Sequence, residues 1–466
     1  FGGIEVKSLS PYCIFLIAIS AFSISPALAQ WEYGGKVIGL RSTSTSGLAV
    51  AHIGDGNIVV AWDRIRGGDY DIYAQCIDSA GYEMWGEGGM VVYEDDGVRQ
   101  DFPALLPDGE GGVFVVWSDW RHTSQDGIAL YGQRLDSFGN YLWDPEGVRL
   151  TADTMSHEYA DLQDDGHDGF VAVYRSRYGW GMIDVGAQRV DSQGSVLWGL
   201  PGIALTQAYF HQSYPKTCRA TDSTFITCWR DYRFHNTDFE DDIYMQRFDL
   251  EGNVLWDPDG IPAVLWPEHQ GYLDVGHDIV ADGHGGAVVV WVDGRTLYNS
   301  VLFADRFSSS GQSLWQLNGL QLGSNLLYEA LECQAFKVGS NFMFRWGRGE
   351  FMVSYLSLDG HFIWNEPVVL DTSHVYTMFM EPDGVFKFKT AYVGEPFSYG
   401  AGAKVDTTGF RFWPDYPFIG RDIISESDRI LTDGYDGMIT VWKASGSMDI
   451  KIAKIYADGH VGGDSN

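Results

Sequence analysis

The sequence predicts an all-β chain folded as a β-propeller, on two recurring landmarks and the strand between them. The first landmark is a turn ending in tryptophan. It occurs as IDSAGYEMW (Ile77–Trp85), LDSFGNYLW (Leu135–Trp143), VDSQGSVLW (Val190–Trp198) and FDLEGNVLW (Phe248–Trp256). It recurs as FSSSGQSLW (Phe307–Trp315), LSLDGHFIW (Leu356–Trp364) and VDTTGFRFW (Val405–Trp413). The second landmark is a Gly/Asp turn followed by an apolar run that ends in an aromatic. Examples are GDGNIVVAW to Trp62, GEGGVFVVW to Trp117, GHDGFVAVY to Tyr174 and GHGGAVVVW to Trp291. Between the two lies a third strand: DIYAQCID from Asp71, ALYGQRLD from Ala129, DIYMQRFD from Asp242.

Each unit therefore reads A strand, Asp-Gly turn, B strand, variable loop, C strand, Asp-x-x-Gly turn, D strand. Glycine at the turns supplies the positive φ of tight hairpins. Val, Ile, Phe and Tyr fill the strands, as half-buried pleated surfaces favour. No segment sustains a helical period. One such unit leaves both faces and its edges bare, so the ring must close. The last copy, IYADGHVGG from Ile455, carries Gly463 where the tryptophan belongs. The missing strand is predicted at the other end of the chain, in WEYGGKVIGL (Trp31–Leu40), as a strap that closes the ring. Eight blades are expected. Seven is the alternative, because units six and seven are shorter and degenerate.

Upstream of that strap, Lys7 precedes the apolar run CIFLIAIS (Cys13–Ser20), and Ala27-Leu28-Ala29 follows as a small-x-small cleavage signal. Residues 1–29 thus read as a secretory signal peptide and residues 30–466 as a single propeller domain. The run is too short for a comfortable membrane span. A secreted, extracellular or cell-surface protein is expected, with the periplasm as the alternative.

The D-x-x-G-x-x-L-W turn resembles the tryptophan-docking repeat of quinoprotein-type eight-bladed propellers. The fuller pattern, W-x-D-x-R, then D-I-Y-A-Q-R-L-D, then G-x-x-L-W, resembles tandem repeats of secreted bacterial propeller proteins. The resemblance covers almost all of residues 30–466 and is clear in units one to five. It implies a propeller fold, in which the tryptophan wedges against the next blade. It also implies a sorting or anchoring domain beyond the Gly-rich end GGDSN. Quinoprotein dehydrogenases commonly place two adjacent cysteines over their cofactor, and no two cysteines are adjacent here, so the likeness stops at the docking tryptophan.

The formal net charge is −32, from 63 Asp and Glu against 31 Lys and Arg. Such a surface repels nucleic acid and anionic membranes. No cofactor is expected, with calcium left open, because the Asp-rich turns DDGHDG (Asp164–Gly169) and DGYDG (Asp433–Gly437) offer oxygen ligands. Cys218 and Cys228 flank the A–B turn of unit four, so a bridge across that hairpin is an open alternative. Cys76 stands where other units carry Arg134, Arg189, Arg247 and Arg306.

No G-x-S-x-G, H-E-x-x-H, phosphate loop or paired-Cys metal motif is present. His157, His211, His269 and His277 fall in the D–A connections without metal-ligand spacing. Asp119/Arg121, Asp231/Arg233 and Asp293/Arg295 repeat in register and read as loop-holding ion pairs. The non-repeated aromatics and His of the B–C loops are the better ligand candidates: Trp120, Tyr178, Trp180, Tyr232 and His235. These observations predict a non-catalytic exported binding or scaffold protein, with a polysaccharide or an extracellular protein as partner. The alternative is a secreted propeller enzyme, glycan-cleaving or a divergent quinoprotein, with its site at the channel mouth.

Overall fold

The computed structural model describes residues 31–462 apart from 32–34, 40–46, 67, 124–126, 153, 178–181, 234–241, 265–275, 297–298, 324–332, 348–350, 366, 372–373, 381–385, 395–396, 406–417, 422–428, 434, 445–448 and 459. The expected signal peptide lies outside these residues. The described strands form eight four-stranded antiparallel sheets, and no helix occurs among the described residues. The second sheet is typical: Gln100–Pro107, Val113–Asp119, Ala129–Leu135 and Val148–Arg149 lie in that order from inside to outside. The A strands face one another around a common centre. Leu48–Gly54 meets Gln100–Pro107, and the contacts continue through Ser156–Asp164, Gln212–Thr221 and His277–Ala281 to Cys333–Val338; on the other side His374–Met380 meets Arg429–Thr432, which returns to Leu48–Gly54. The molecule is a β-propeller with its inner strands around a central channel.

The strap is present. Lys36–Gly39 pairs antiparallel with Ile450–Ile455 and is the outer strand of the sheet otherwise built from the chain's C-terminal part. B and C strands carry the core: every residue of Val113–Asp119 and of Ala129–Leu135 is buried. The deepest side chains are the B-strand landmarks Trp62, Trp117, Trp229, Trp291, Trp346 and Trp442.

The D-end tryptophans form a second, more peripheral set. Trp85 donates its indole N–H to the Ser137 carbonyl at 3.1 Å, and Trp143 to Ser192 at 3.0 Å. Trp198 does the same to Leu250, Trp256 to Ser309 and Trp315 to Leu358. In each pair the acceptor lies in the C–D turn of the next unit. Trp31 donates to Ser79 at 3.3 Å, so the bond that joins neighbouring units also joins the last to the first. Each indole lies against the turn glycine of that next unit. An added Cβ at Gly139 would come within 3.0 Å of Trp85, and at Gly360 within 2.8 Å of Trp315. Of the repeat tryptophans expected to be buried wedges between blades, Trp85 and Trp143 are buried, as is Trp31, whereas Trp198, Trp256, Trp315 and Trp364 are half-buried. Trp413 lies outside the described residues.

The arginine that Cys76 replaces has a defined task. Arg134 binds Asp108 of its own A–B turn at 2.8 Å and donates to the Ser192 carbonyl of the next unit. Arg189 and Arg306 repeat this with Asp165 and Asp282, and Lys454 does so with Asp433. Unit one turns through Asp55-Gly56 without the equivalent aspartate, and its Cys76 is buried. Cys218 opposes Ile226 while Cys228 opposes Lys216, so the two thiols sit offset on adjacent strands, and both are free.

Candidate functional site

The repeated Asp and Arg of the B–C loops are structural. Asp119 accepts from Trp117 Nε1 at 2.9 Å and from Arg121 through both carboxylate oxygens, and Asp231 does the same with Trp229 and Arg233. The Arg121 guanidinium is held between the rings of Tyr93 and Tyr131, 3.9 and 4.0 Å from their centroids. The Asp-rich turns are equally engaged. Asp165 accepts from the His167 and Gly169 amides and from Arg189; Asp433 accepts from Tyr435, Gly437 and Lys454. Their carboxylates are therefore occupied by the chain itself. Among the described residues no group of three or more His, Cys, Asp or Glu is arranged to hold a metal ion.

Of the predicted ligand residues, Tyr178, Trp180 and His235 lie outside the described residues. Trp120 and Tyr232 are half-buried and occupy equivalent places in units two and four, so they are two blades apart. Trp120 stacks on Arg99, which pairs with buried Asp101 at 2.5 Å. Burial pushes the Asp101 carboxyl up to about 7, against the pull of Arg99. Tyr232 lies beside Arg230, whose guanidinium also faces Tyr214. Each of the two aromatics is thus packed against an arginine.

A cavity of about 380 Å³ is lined by the A strands of units one to four and by Arg429. Three adjacent A strands carry the same β-bulge, between Asp101 and Ala104, between Glu158 and Asp161, and between Ser213 and Lys216. At each bulge an aromatic adopts positive φ: Phe102 (53°), Tyr159 (59°) and Tyr214 (55°). Left-handed backbone costs a non-glycine residue about 1–2 kcal/mol, and bulges recur where a strand re-aims a side chain. Tyr159 and Tyr214, 41% and 56% exposed, line the cavity. Phe102 and Tyr159 pack with ring centroids 4.2 Å apart. Arg175 lies 4.4 Å over the Tyr159 ring and is held by Glu158 at 2.5 Å.

Two residues beyond each bulge aromatic stands the position that decides the charge. It is Ala104 in unit two, Asp161 in unit three, Lys216 in unit four and, by A–B turn alignment, Asp278 in unit five. Asp161 accepts the Thr217 amide at 2.8 Å and Asp278 the Ala335 amide at 3.0 Å, each from the next blade. Burial raises the pKa of both carboxyls, against the opposing charge of Lys216, which acts on each. The cavity thus offers exposed aromatic faces, cations at Arg175 and Lys216, and the Asp161 carboxyl, whose pKa burial raises. Aligning the repeats would have exposed one signal, the aromatic in DFPAL, EYADL and SYPKT of units two to four alone. The bulges that turn it inward are tertiary.

No protein-family model matches the chain, and no curated protein sequence matches it. Among solved structures it is similar to an ulvan lyase of polysaccharide lyase family PL25, bound to -[GlcA(1-4)Rha3S]-. That overlay has 13% identity, covers 92% of this chain and 96% of the other, and gives a TM-score of 0.49. An α-L-arabinanase of Penicillium chrysogenum with arabinobiose overlays at 10% identity, over 70% of this chain and 98% of the other, with a TM-score of 0.42. The GH93 α-L-arabinofuranosidase of Fusarium graminearum with arabinobiose does so at 10% identity, over 80% and 98%, with a TM-score of 0.40. The expectation of a non-catalytic binding or scaffold protein is corrected here. The three neighbours named, which share the fold with this chain, are a polysaccharide lyase, an arabinanase and an arabinofuranosidase rather than non-catalytic scaffolds, and in this chain Asp161, Arg175 and Lys216 line the channel cavity.

Proposed function

We propose that this chain is an exported eight-bladed propeller enzyme, residues 30–466 after loss of the leader, that cleaves glycosidic bonds of a polysaccharide in its central channel. The observation that carries this reading is the row of three bulged aromatics beside Asp161 and Lys216. Exposed aromatic faces stack on the apolar faces of sugar rings, and Tyr159 and Tyr214 present such faces at backbone cost. Asp161, whose proton is held by burial, is the donor to the leaving oxygen. Lys216 and Arg175 hold negative groups of the substrate or of the departing chain. Trp120 and Tyr232 brace Arg99 and Arg230 at the rim.

The test is incubation with a panel of neutral and acidic polysaccharides, reading new reducing ends. Asp161→Asn lowers the rate about 10²-fold or more, and Tyr214→Ala raises KM. An unsaturated product end, seen by its ultraviolet absorbance, assigns elimination; its absence assigns hydrolysis. Cleavage that persists in Asp161→Asn, or no cleavage of any polysaccharide by the wild-type chain, removes the proposal.

A further inference from the structure

Unit three departs from the repeat at four coupled positions, and the departure leaves a hole. In unit two, the slot between the B–C loop and the D strand is filled by Arg121. That residue stacks on Tyr131, pairs with Asp119 and donates to the Glu146 carbonyl at 3.0 Å. In unit four Arg233 fills the same slot, 3.8 Å from the Tyr244 centroid, paired with Asp231 and donating to the Asp259 carbonyl. Strand register fixes the correspondence: Trp117 opposes Tyr131, Trp229 opposes Tyr244, and in unit three Tyr174 opposes Gly186. The aspartate becomes Ser176, and in sequence Tyr178 takes the arginine's place, so unit three has no arginine at that position.

The result is a cavity of about 250 Å³, lined by Tyr174, Ser176, Gly186 and Gly202 with His157 and Asp184. It shares no lining residue with the channel cavity, and its described lining contains a carboxylate and no Lys or Arg. The Asp184 carboxyl is pushed up to about 6, first by burial and then by repulsion from Asp259 and Asp231. A cation entering the slot relieves that repulsion, whereas an anion adds to it. The Tyr174 ring forms one wall, and its hydroxyl is fixed by the Pro201 carbonyl at 2.6 Å.

We propose that this cavity binds a guanidinium group supplied from outside, in the slot that neighbouring blades fill with their own arginine. Two sources share that chemistry, a free guanidino base and an arginine side chain of another polypeptide, and the probes separate them. Agmatine and the peptide Gly-Arg-Gly are titrated into the full chain at pH 8 and ordinary salt, where diffuse attraction to the acidic surface is screened. Heat of binding and ligand-observed NMR give the readout. One of the two probes binds, with methyl glucoside failing to compete. Preference for agmatine assigns a free base, and preference for the peptide assigns a protein arginine. Asp184→Asn weakens binding about tenfold. Ala204→Arg, at an exposed lining position, brings a tethered guanidinium to the mouth and abolishes binding. Tyr214→Ala in the channel leaves it unchanged. Failure of both probes to bind overturns the proposal. So does equal binding by Asp184→Asn, or competition by the neutral sugar.

Discussion

At Tyr214 stability and the proposed function are expected to pull apart. Its side chain is more than half exposed and its backbone sits at φ 55°, so it buries little and carries a conformational cost. Replacing it by glycine, which adopts that backbone freely, is expected to raise the unfolding free energy by up to about 1 kcal/mol. The same change is expected to reduce polysaccharide cleavage. Denaturant melts and reducing-end assays on one variant decide both; a clear loss of stability would mean the ring is packing and not a platform. The tryptophans make the complementary case. Trp117→Ala, at a fully buried position, is expected to cost about 3–5 kcal/mol. Trp256→Ala, at a half-buried docking position, is expected to cost about 1–2 kcal/mol. Equal losses in urea melts would contradict the two-tier packing.

At the scale of elements, the strap and the bulges do different work. Lys36–Gly39 covers the edge of Ile450–Ile455, and its Ile38 is fully buried. Trp31 adds the bond to Ser79, and Lys36 donates to the Gly81 carbonyl while pairing with Glu83 at 3.4 Å, so the strap grips the first unit as well as the last. Starting the chain after residue 39 is expected to bare that edge, lower the melting temperature and promote light-scattering aggregates. A truncated chain that melts like the intact one would show the ring closing without it. The bulges trade strand regularity for direction: an extra residue in three neighbouring A strands turns Phe102, Tyr159 and Tyr214 toward one cavity.

For the whole molecule, charge and burial act together on pH dependence. Asp71 and Asp184 are raised to about 6 and Asp101 to about 7, in each case chiefly by burial. A carboxyl raised on folding binds its proton more tightly in the folded chain than in the unfolded one. These groups therefore stabilise the fold as pH falls from about 7 toward the unfolded carboxyl value near 4. Lowering the pH also relieves self-repulsion of the −32 chain. Asp433 works in the opposite sense. Despite its burial, hydrogen bonds from Tyr435, Lys454 and Gly437 hold its carboxyl below the usual range, so its contribution is lost only under stronger acid. The melting temperature is expected to rise from pH 8 to about pH 5 and to fall at still lower pH. A monotonic decline below pH 8 would contradict the buried-carboxyl account.

The sequence by itself determined the repeat, the strand order within a unit and the origin of the closing strand. These rest on local chemistry repeated many times: Asp-x-x-Gly turns, apolar runs of strand length, and a tryptophan missing at Gly463 but present at Trp31. It also determined that Asp119/Arg121 and Asp231/Arg233 are structural, because a residue needed in every blade belongs to the frame. Only the tertiary structure decided which side chains line the channel cavity. The conspicuous B–C loop residues Trp120 and Tyr232 brace arginines, while the cavity belongs to Tyr159, Tyr214, Asp161 and Lys216. Period-two patterning assigns each strand residue to one of two faces. A β-bulge breaks that alternation, so the direction of those side chains follows from the register between neighbouring strands and from the ring that brings separate blades to one axis.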